Sequence, residues 1–221
     1  MFQQVLSGQT KRALAILGES GLLKSAHLAG GTALALRIGH RVSLDLDFFT
    51  PKQFNAQLIA EKFQALPTPF KLDRLEENTL LGFLDKAKFS LFFSVYPLID
   101  KIDKYLGVNV ASLKDIAAMK LAAISQRGTK RDFIDLYFII AIEKLITFED
   151  IFDLYDKKFN LLKQNKAHLI NSLTYFSDAE GTTVPRMFNV VSWREVKKFF
   201  EKETSHFMKD LIRQEHYENR S

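Results

Sequence analysis

Apolar and polar positions divide the chain into an early part that reads as helices and strands and a later part that reads as helices. Over Val5–Gly18, Leu6, Ala13, Leu14 and Leu17 can share one helical face, and Gly18 and Gly21 punctuate its end. Ala26–Ala29 is a short apolar run that predicts a strand. Gly30–Gly31 then turns the chain, and Thr32 is placed to N-cap a helix beginning at Ala33. From Ser43 to Phe49 the pattern has period two. Ser43, Asp45 and Asp47 alternate with Leu44, Leu46 and Phe48, which predicts a strand with one buried face. Lys52–Ala65 carries Phe54, Leu58, Ile59 and Phe63 at helical spacing, and Pro67 and Pro69 stop it. Phe70–Leu75, Thr79–Asp85 and Lys88–Tyr96 read as strands joined by turns within Leu75–Leu80 and at Asp85–Ala87. A mixed sheet of about four or five strands follows.

Beyond Pro97 the period changes. Ser112 with Asp115 has capping-box form, and a helix runs from there to about Gln126. Gly128 ends it, Thr129 with Asp132 repeats the signature, and a second helix extends to about Lys144. Phe148–Phe159 and Gln164–Phe176 read as further helices, Asp178–Pro185 as a polar loop, and Ser192 with Glu195 caps a last helix through Phe207. The fold class expected is α+β: a mixed sheet flanked by helices, with a C-terminal helical portion. The break falls near Pro97–Ser112, giving an α/β core over 1–98 and a helical region over 99–221.

Composition narrows the picture. With 221 residues, 47% of them hydrophobic, the chain can build a full core, and its 20 Phe are most simply part of it. A net charge of +5 suits a phosphate-rich partner without requiring one. The absence of cysteine excludes disulfides and thiolate metal sites and agrees with a reducing compartment. MFQQVLSGQTKRAL lacks a signal-peptide core, and no apolar run reaches about 18 residues. A cytoplasmic protein that does not enter membranes is expected.

The chemistry concentrates in Ala29–Phe49. Asp45 and Asp47 share one strand face with Ser43 and repel each other unless a cation lies between them. Magnesium commonly binds one or two carboxylates together with substrate phosphates. Glycines let a phosphate approach the backbone, and the first amides of a helix attract anions. Gly30, Gly31 and Thr32 are therefore candidates for phosphate contact, with Arg37, His40 and Arg41 following. Taken singly, a Gly-Gly pair is an ordinary turn and Asp-x-Asp an ordinary surface feature; their order and spacing together suggest a nucleoside triphosphate with Mg2+. Lys120 interrupts an apolar stretch, where it can snorkel or serve a site. Asp132 reads first as a helix cap, and Asp135 can pair with Arg131 at i,i+4. Lys197, Lys198 and Lys202 read as a solvated helix face or an RNA contact.

HLAGGTALALRIGHRVSLDLDFF resembles the first motif of the AbiEii/AbiGii-type toxin nucleotidyltransferases, which belong to the DNA polymerase β-like superfamily. KDIAAMKLAAISQRGTKRDFIDLYFI resembles their later motifs, in which a lysine on one helix and an aspartate on the next complete the site. YFSDAE and VSWREVKKFF are similar to their C-terminal part, so the resemblance spans about residue 25 to residue 200. It implies nucleotide transfer from an NTP with release of pyrophosphate. The implied setting is a toxin–antitoxin or abortive-infection system for phage defence, with a cognate antitoxin encoded nearby. The implied acceptor is RNA, at a tRNA 3′ end, or else a protein side chain. Carried over by position, Gly31 and Thr32 contact the triphosphate, Asp45 and Asp47 bind Mg2+, and Lys120 meets phosphates. Asp135 or Asp132, beside Arg131, supports the site; Asp135 is preferred because Asp132 has a capping explanation. The helical hairpin would form the second wall of the cleft. One departure from the wider superfamily stands out: KFSLFFSVYPL has no acid where many members carry a third metal-binding carboxylate. Two other readings remain, a non-catalytic nucleotide- or RNA-binding module and an interaction protein with a vestigial pocket.

Overall fold

A serine opens the first helix. Ser7 accepts the Thr10 amide, and α1 (Gly8–Ser20) runs until Gly21, at φ 64°, ends it. Val5 precedes it in a short 3-10 turn, so the helix begins three residues later than the apolar pattern suggests. The computed structural model describes residues 1–162 and 165–218; Gln164, where the pattern begins a helix, lies outside them. The chain falls into two units, Met1–Ile116 with Arg186–Asn189, and Ala117–Pro185 with Val190–Ser221.

In the first unit, α1 leads to β1 (His27–Leu28), α2 (Gly30–Ile38), β2 (Leu46–Thr50) and α3 (Ala56–Gln64). Then come β3 (Phe70–Glu76), β4 (Thr79–Leu84), β5 (Ala87–Phe93), β6 (Asp103–Tyr105) and β7 (Val108–Val110). They form one seven-stranded mixed sheet in the order β3-β4-β5-β2-β1-β7-β6. β2 runs parallel to β5 and β1 parallel to β7, and the other pairs are antiparallel. Leu28, Leu46, Phe48, Leu80, Leu84, Phe89, Leu91, Val108 and Val110 are buried along one face. Phe63 of α3 sets its ring on Phe70 and Phe89 there. Asp47, Ser90 and Leu81 belong to the opposite face, aligned across three strands.

Three expectations change. The strand predicted from Ser43 begins at Leu46, and Leu44 is 52% exposed instead of buried. The cause is local: the Ser43 amide bonds the Val5 carbonyl, so the chain before Leu46 is tied to the N-terminal turn and not to a sheet neighbour. The helix expected from Ala33 begins at Gly30 with Ala29 as its N-cap, so Thr32 sits inside the first turn. The sheet also gains β6 and β7, whose hairpin turns through Leu106 and Gly107 at φ 49° and 81°. Arg37, the one charge in the otherwise buried α2, explains how that hairpin is held. It donates to the carbonyls of Ala111 (2.6 Å) and Val110 (3.2 Å) and pairs with Asp103 at 2.8 Å. Those bonds use the guanidinium, which corrects its reading as a phosphate ligand.

The helical unit is stapled by caps the sequence foretells. Ser112 and Asp115 cap α4 (Leu113–Arg127), which starts in the first unit and continues into the second. Thr129 and Asp132 form a full capping box on α5 (Lys130–Tyr137), which passes into a π-helical turn over Phe138–Ile142. α6 (Asp150–Phe159), α7 (Lys166–Ser172) and α8 (Ser177–Glu180) follow, the last lying in the predicted polar loop. Ser192 and Glu195 bond reciprocally at the start of α9 (Trp193–Glu218). Aromatic rings fill the interior: Phe133 packs on Phe176, Trp193 and Phe200, and Phe152 stacks on Phe207 with centroids 4.8 Å apart. Lys197 bonds Glu180 at 2.8 Å, so it ties α9 to α8.

Gly18 lies in α1, where alanine is normally preferred over glycine by ~1 kcal/mol. Its missing Cβ makes room for the Leu106 carbonyl of the β6–β7 turn. Gly18→Ala is therefore expected to destabilise by about 1–3 kcal/mol through overpacking. Thermal unfolding should show a Tm lower by about 2–4 °C per kcal/mol lost. A raised Tm would show that the hairpin yields and that helix propensity decides the sign.

Candidate active site

In the first unit the site is built where β1 hands over to α2. The Ala29 amide donates to the Asp47 carbonyl at 2.9 Å, which fixes the helix start beside β2. Gly30 takes φ +63°, a conformation that favours glycine, and a Cβ there would stand 3.3 Å from Asp47 Oδ2. The Asp47 carboxylate therefore lies against the first residue of α2. The N-cap residue, Ala29, makes no side-chain cap bond, and the first amides carry the partial positive charge of a helix N-terminus. Gly31 is packed as closely, with the Arg41 guanidinium occupying the space a Cβ would need. Arg41 is only 3% exposed and donates to the Val42 carbonyl at 3.1 Å. Its backbone bridges to Met187, and Phe188 donates to the His40 carbonyl at 2.9 Å. The structure thus brings together Gly30, Gly31, Thr32, Arg41, Ser43 and Asp47, with Asp45 joined through its carbonyl.

Thr32 and His40 depart from their sequence roles. Thr32 is 1% exposed, its Oγ1 lies 2.8 Å from Ser43 Oγ, and it also bonds the Asp45 carbonyl. The Thr32 hydroxyl is the donor in both contacts, its single proton shared between the Asp45 carbonyl and Ser43 Oγ. That hydroxyl is occupied and closed to a phosphate. His40 is fully buried, which likewise removes it from phosphate contact and leaves it a scaffold residue.

Lys120, Asp132, Asp135 and Arg131 belong to the second unit. Lys120 on α4 is 7% exposed, so it does not snorkel. Its Nζ lies 2.8 Å from Asp132 Oδ1 and 2.7 Å from Asp135 Oδ2, binding both carboxylates from α5. Asp135 is fully buried and faces this lysine, while Arg131 is exposed. Asp132 meets two demands at once, since Oδ2 accepts from the Thr129 amide and hydroxyl while Oδ1 holds Lys120. Burial is the largest influence on its carboxyl and opposes the charge. The Lys120 charge and hydrogen bond, with the Thr129 bond, outweigh burial and the repulsion from Asp135, and hold Asp132 below the usual range.

Among the described residues no three His, Asp or Glu side chains gather as a metal cage. A two-carboxylate donor set still fits Mg2+, which keeps waters and takes substrate phosphates as ligands. Across from Asp47, in register on parallel β5, stands Ser90, 4% exposed. It occupies the strand position where a third carboxylate could have joined the pair. Ser90 escaped the sequence reading. The alternation of Lys88, Ser90 and Phe92 gave its face, but only parallel pairing with β2 makes it a neighbour of Asp47.

A mixed sheet with a carboxylate beside a glycine-rich helix start defines a nucleotidyltransferase-type fold. The sequence profile described as nucleotidyl transferase AbiEii toxin, type IV toxin–antitoxin system, matches residues 12–80 and 92–219. The chain belongs to that family of nucleotidyltransferase toxins. It is 34% identical over 209 residues to an uncharacterized protein of Aquifex aeolicus (strain VF5), covering 93% of this chain and 98% of that one. JHP933 from Helicobacter pylori shares the fold with a TM-score of 0.53 at 20% identity, over 97% of this chain and 98% of the other. MenT4, a nucleotidyltransferase toxin from Mycobacterium tuberculosis H37Rv, does so with a TM-score of 0.56 at 15% identity, over 90% and 84%. Family membership implies nucleotide substrates and an antitoxin partner. Among the described residues no helix is long and apolar enough to cross a membrane.

The depressed Asp132 carboxyl carries a pH signature. A folded-state pKa below the unfolded value of ~3.9 contributes stability that is fully present above that value. It is lost as pH falls through the folded pKa. Asp132→Asn is expected to lower stability by about 1–3 kcal/mol at neutral pH. Chemical unfolding from pH 7 down to pH 3 should show this difference shrinking below about pH 4. A difference independent of pH would contradict an ionic origin.

Proposed function

We propose that this chain transfers a nucleotide from a nucleoside triphosphate to a hydroxyl of RNA, at a tRNA 3′ end. The reaction depends on Mg2+, and the protein acts in the cytoplasm as the toxin of a toxin–antitoxin pair. The observation that carries the reading is the Asp47 carboxylate set against Gly30 at the start of α2. A carboxylate for a cation and amides for phosphate are thereby adjacent within one unit. Asp45 and Asp47 would hold the ion, which when bound supplies Lewis-acid charge at phosphate oxygens.

The protein's own groups position the substrate. The α2 amides at Gly30 and Gly31 receive the triphosphate, and the buried Arg41 charge behind Gly31 attracts it. Thr32 is a positioning residue: by bonding the Asp45 carbonyl and Ser43 it holds the segment that aims Asp45. The acceptor oxygen bonds to the α-phosphorus as the bond from that phosphorus to the bridging oxygen breaks. Pyrophosphate leaves with the electron pair, and the hydroxyl proton passes to solvent. The likeness of the later motif assigns Lys120, held between Asp132 and Asp135, and Asp135 itself to the same reaction.

An α-labelled NTP incubated with total RNA and Mg2+ tests the reading. Asp45→Asn and Asp47→Asn are each expected to lower RNA labelling by about 10²–10³-fold, the scale of losing one electrostatic contribution. Normal labelling by both variants would sink the site assignment, and retention of the NTP without transfer would indicate a binding module. Label entering protein alone would overturn the RNA acceptor. Thr32→Val, which keeps shape but loses the hydroxyl, should lower kcat with little change in KM for NTP, and Thr32→Ser should restore it. Equal kcat for Val and Ser would remove Thr32 from the mechanism.

A further inference from the structure

The sheet face that bears Asp47 continues over β5, β4 and β3 as cross-strand rows. In one row Asp47 is opposite Ser90, Ser90 opposite Leu81, and Leu81 opposite Arg74. Two residues further along, about 6.6 Å, Phe83 stands between Lys88 on β5 and Lys71 on β3. Both lysines are exposed and Phe83 is only half-buried. Among the described residues neither lysine is in an ion pair. On the other side of the Asp47 row lie Phe92 and Phe49, half-buried, with ring centroids 5.5 Å apart. Of the acids nearby, Glu76 is paired with Arg74 and Asp85 with Arg12, Glu77 lies in the β3–β4 turn, Asp73 lies in the irregular stretch where the β3 register shifts, and Asp45 precedes β2.

A half-exposed ring between two unpaired ammonium groups, one row from a carboxylate, fits an unstacked nucleotide. The ring offers a stacking face, and the two cations flank it where a backbone would run. A buried structural role is a poor match, because Phe83 lies on the face turned away from the packed core. We propose that the Lys71–Phe83–Lys88 row is the platform for a single-stranded RNA end, which delivers its terminal hydroxyl toward Asp47. This rests on the transferase reading above and adds where the acceptor lies. A base stacks on Phe83, Lys71 and Lys88 meet the flanking phosphates, and Ser90 lines the path to the carboxylates.

The test uses the full chain and a fluorescent single-stranded oligoribonucleotide, titrated at several salt concentrations. The double variant Lys71→Met with Lys88→Met keeps apolar side chains at both positions and removes only the charges. It should weaken RNA binding about tenfold or more and lower the slope of log K against log salt by about 1.4, close to 0.7 for each lost phosphate contact. Phe83→Leu, which keeps an apolar side chain, should weaken binding about tenfold with the salt slope unchanged. NTP binding should be unaltered in all variants, and in the transfer assay KM for RNA should rise more than kcat falls. RNA affinity and salt slope equal to wild type in the double variant would overturn the platform. The transferase reading would then still stand, because it falls only with the aspartate variants. Wild-type protein that binds no RNA, or that labels only protein, would overturn both the platform and the RNA acceptor.

Discussion

Asp47 on β2 and Asp45 just before it set two negative charges close together in the chain, which raises the free energy of the fold unless something positive stands near them. The chain supplies this before any ligand arrives. One backbone bond, from the Ala29 amide to the Asp47 carbonyl, draws the start of α2 alongside β2. Glycine at position 30 then lets the carboxylate settle against the helix end, where a fixed partial positive charge favours it. Arg41, buried against Gly31, adds a full charge to the same corner. The arrangement has a chemical corollary. Under the proposed reading, a triphosphate drawn to those amides would also meet the carboxylates, and a divalent cation would reconcile them.

The ionic cluster of the second unit follows a different logic. One lysine stands between two carboxylates, one of them fully buried and the other also serving as the cap of α5. Removing the lysine would leave the fully buried Asp135 facing Asp132 without a counter-charge, a costly state. The cluster joins α4 to α5, and it fixes where the Lys120 ammonium sits. Around it, rings from α5, α8 and α9 close the core through Phe133, Phe176, Trp193 and Phe200. The cluster is therefore held on one side by charge and on the other by packing.

Much of this was readable from the residues because it is local. The capping pairs Ser112–Asp115, Thr129–Asp132 and Ser192–Glu195 form as their spacing requires, since an i,i+3 bond depends on nothing distant. The alternation through Leu46 and Phe48 shows which face of β2 is buried. What escaped depends on partners far along the chain. β6 and β7 are three residues each, too short to show a period. Thr32 was misread because the helix start moved to Gly30, which turned a cap into a buried tether. Leu44 followed the strand pattern but lacks a strand to join. Ser90 became a neighbour of Asp47 only through parallel pairing, which no single stretch encodes.

The short return segment Arg186–Asn189 belongs to the first unit, although most of the second unit intervenes in sequence. It lies against His40, Arg41 and Val42 through backbone bonds. A chain emerging from the ribosome therefore cannot finish the pocket-side arginine's surroundings when its own stretch has been made. That stretch must wait for a segment translated much later, and the closing of so long a loop sets a kinetic order on assembly. For a family whose members are toxins, the fold itself postpones completion of the corner around Gly31 and Arg41 until most of the polypeptide has been synthesised.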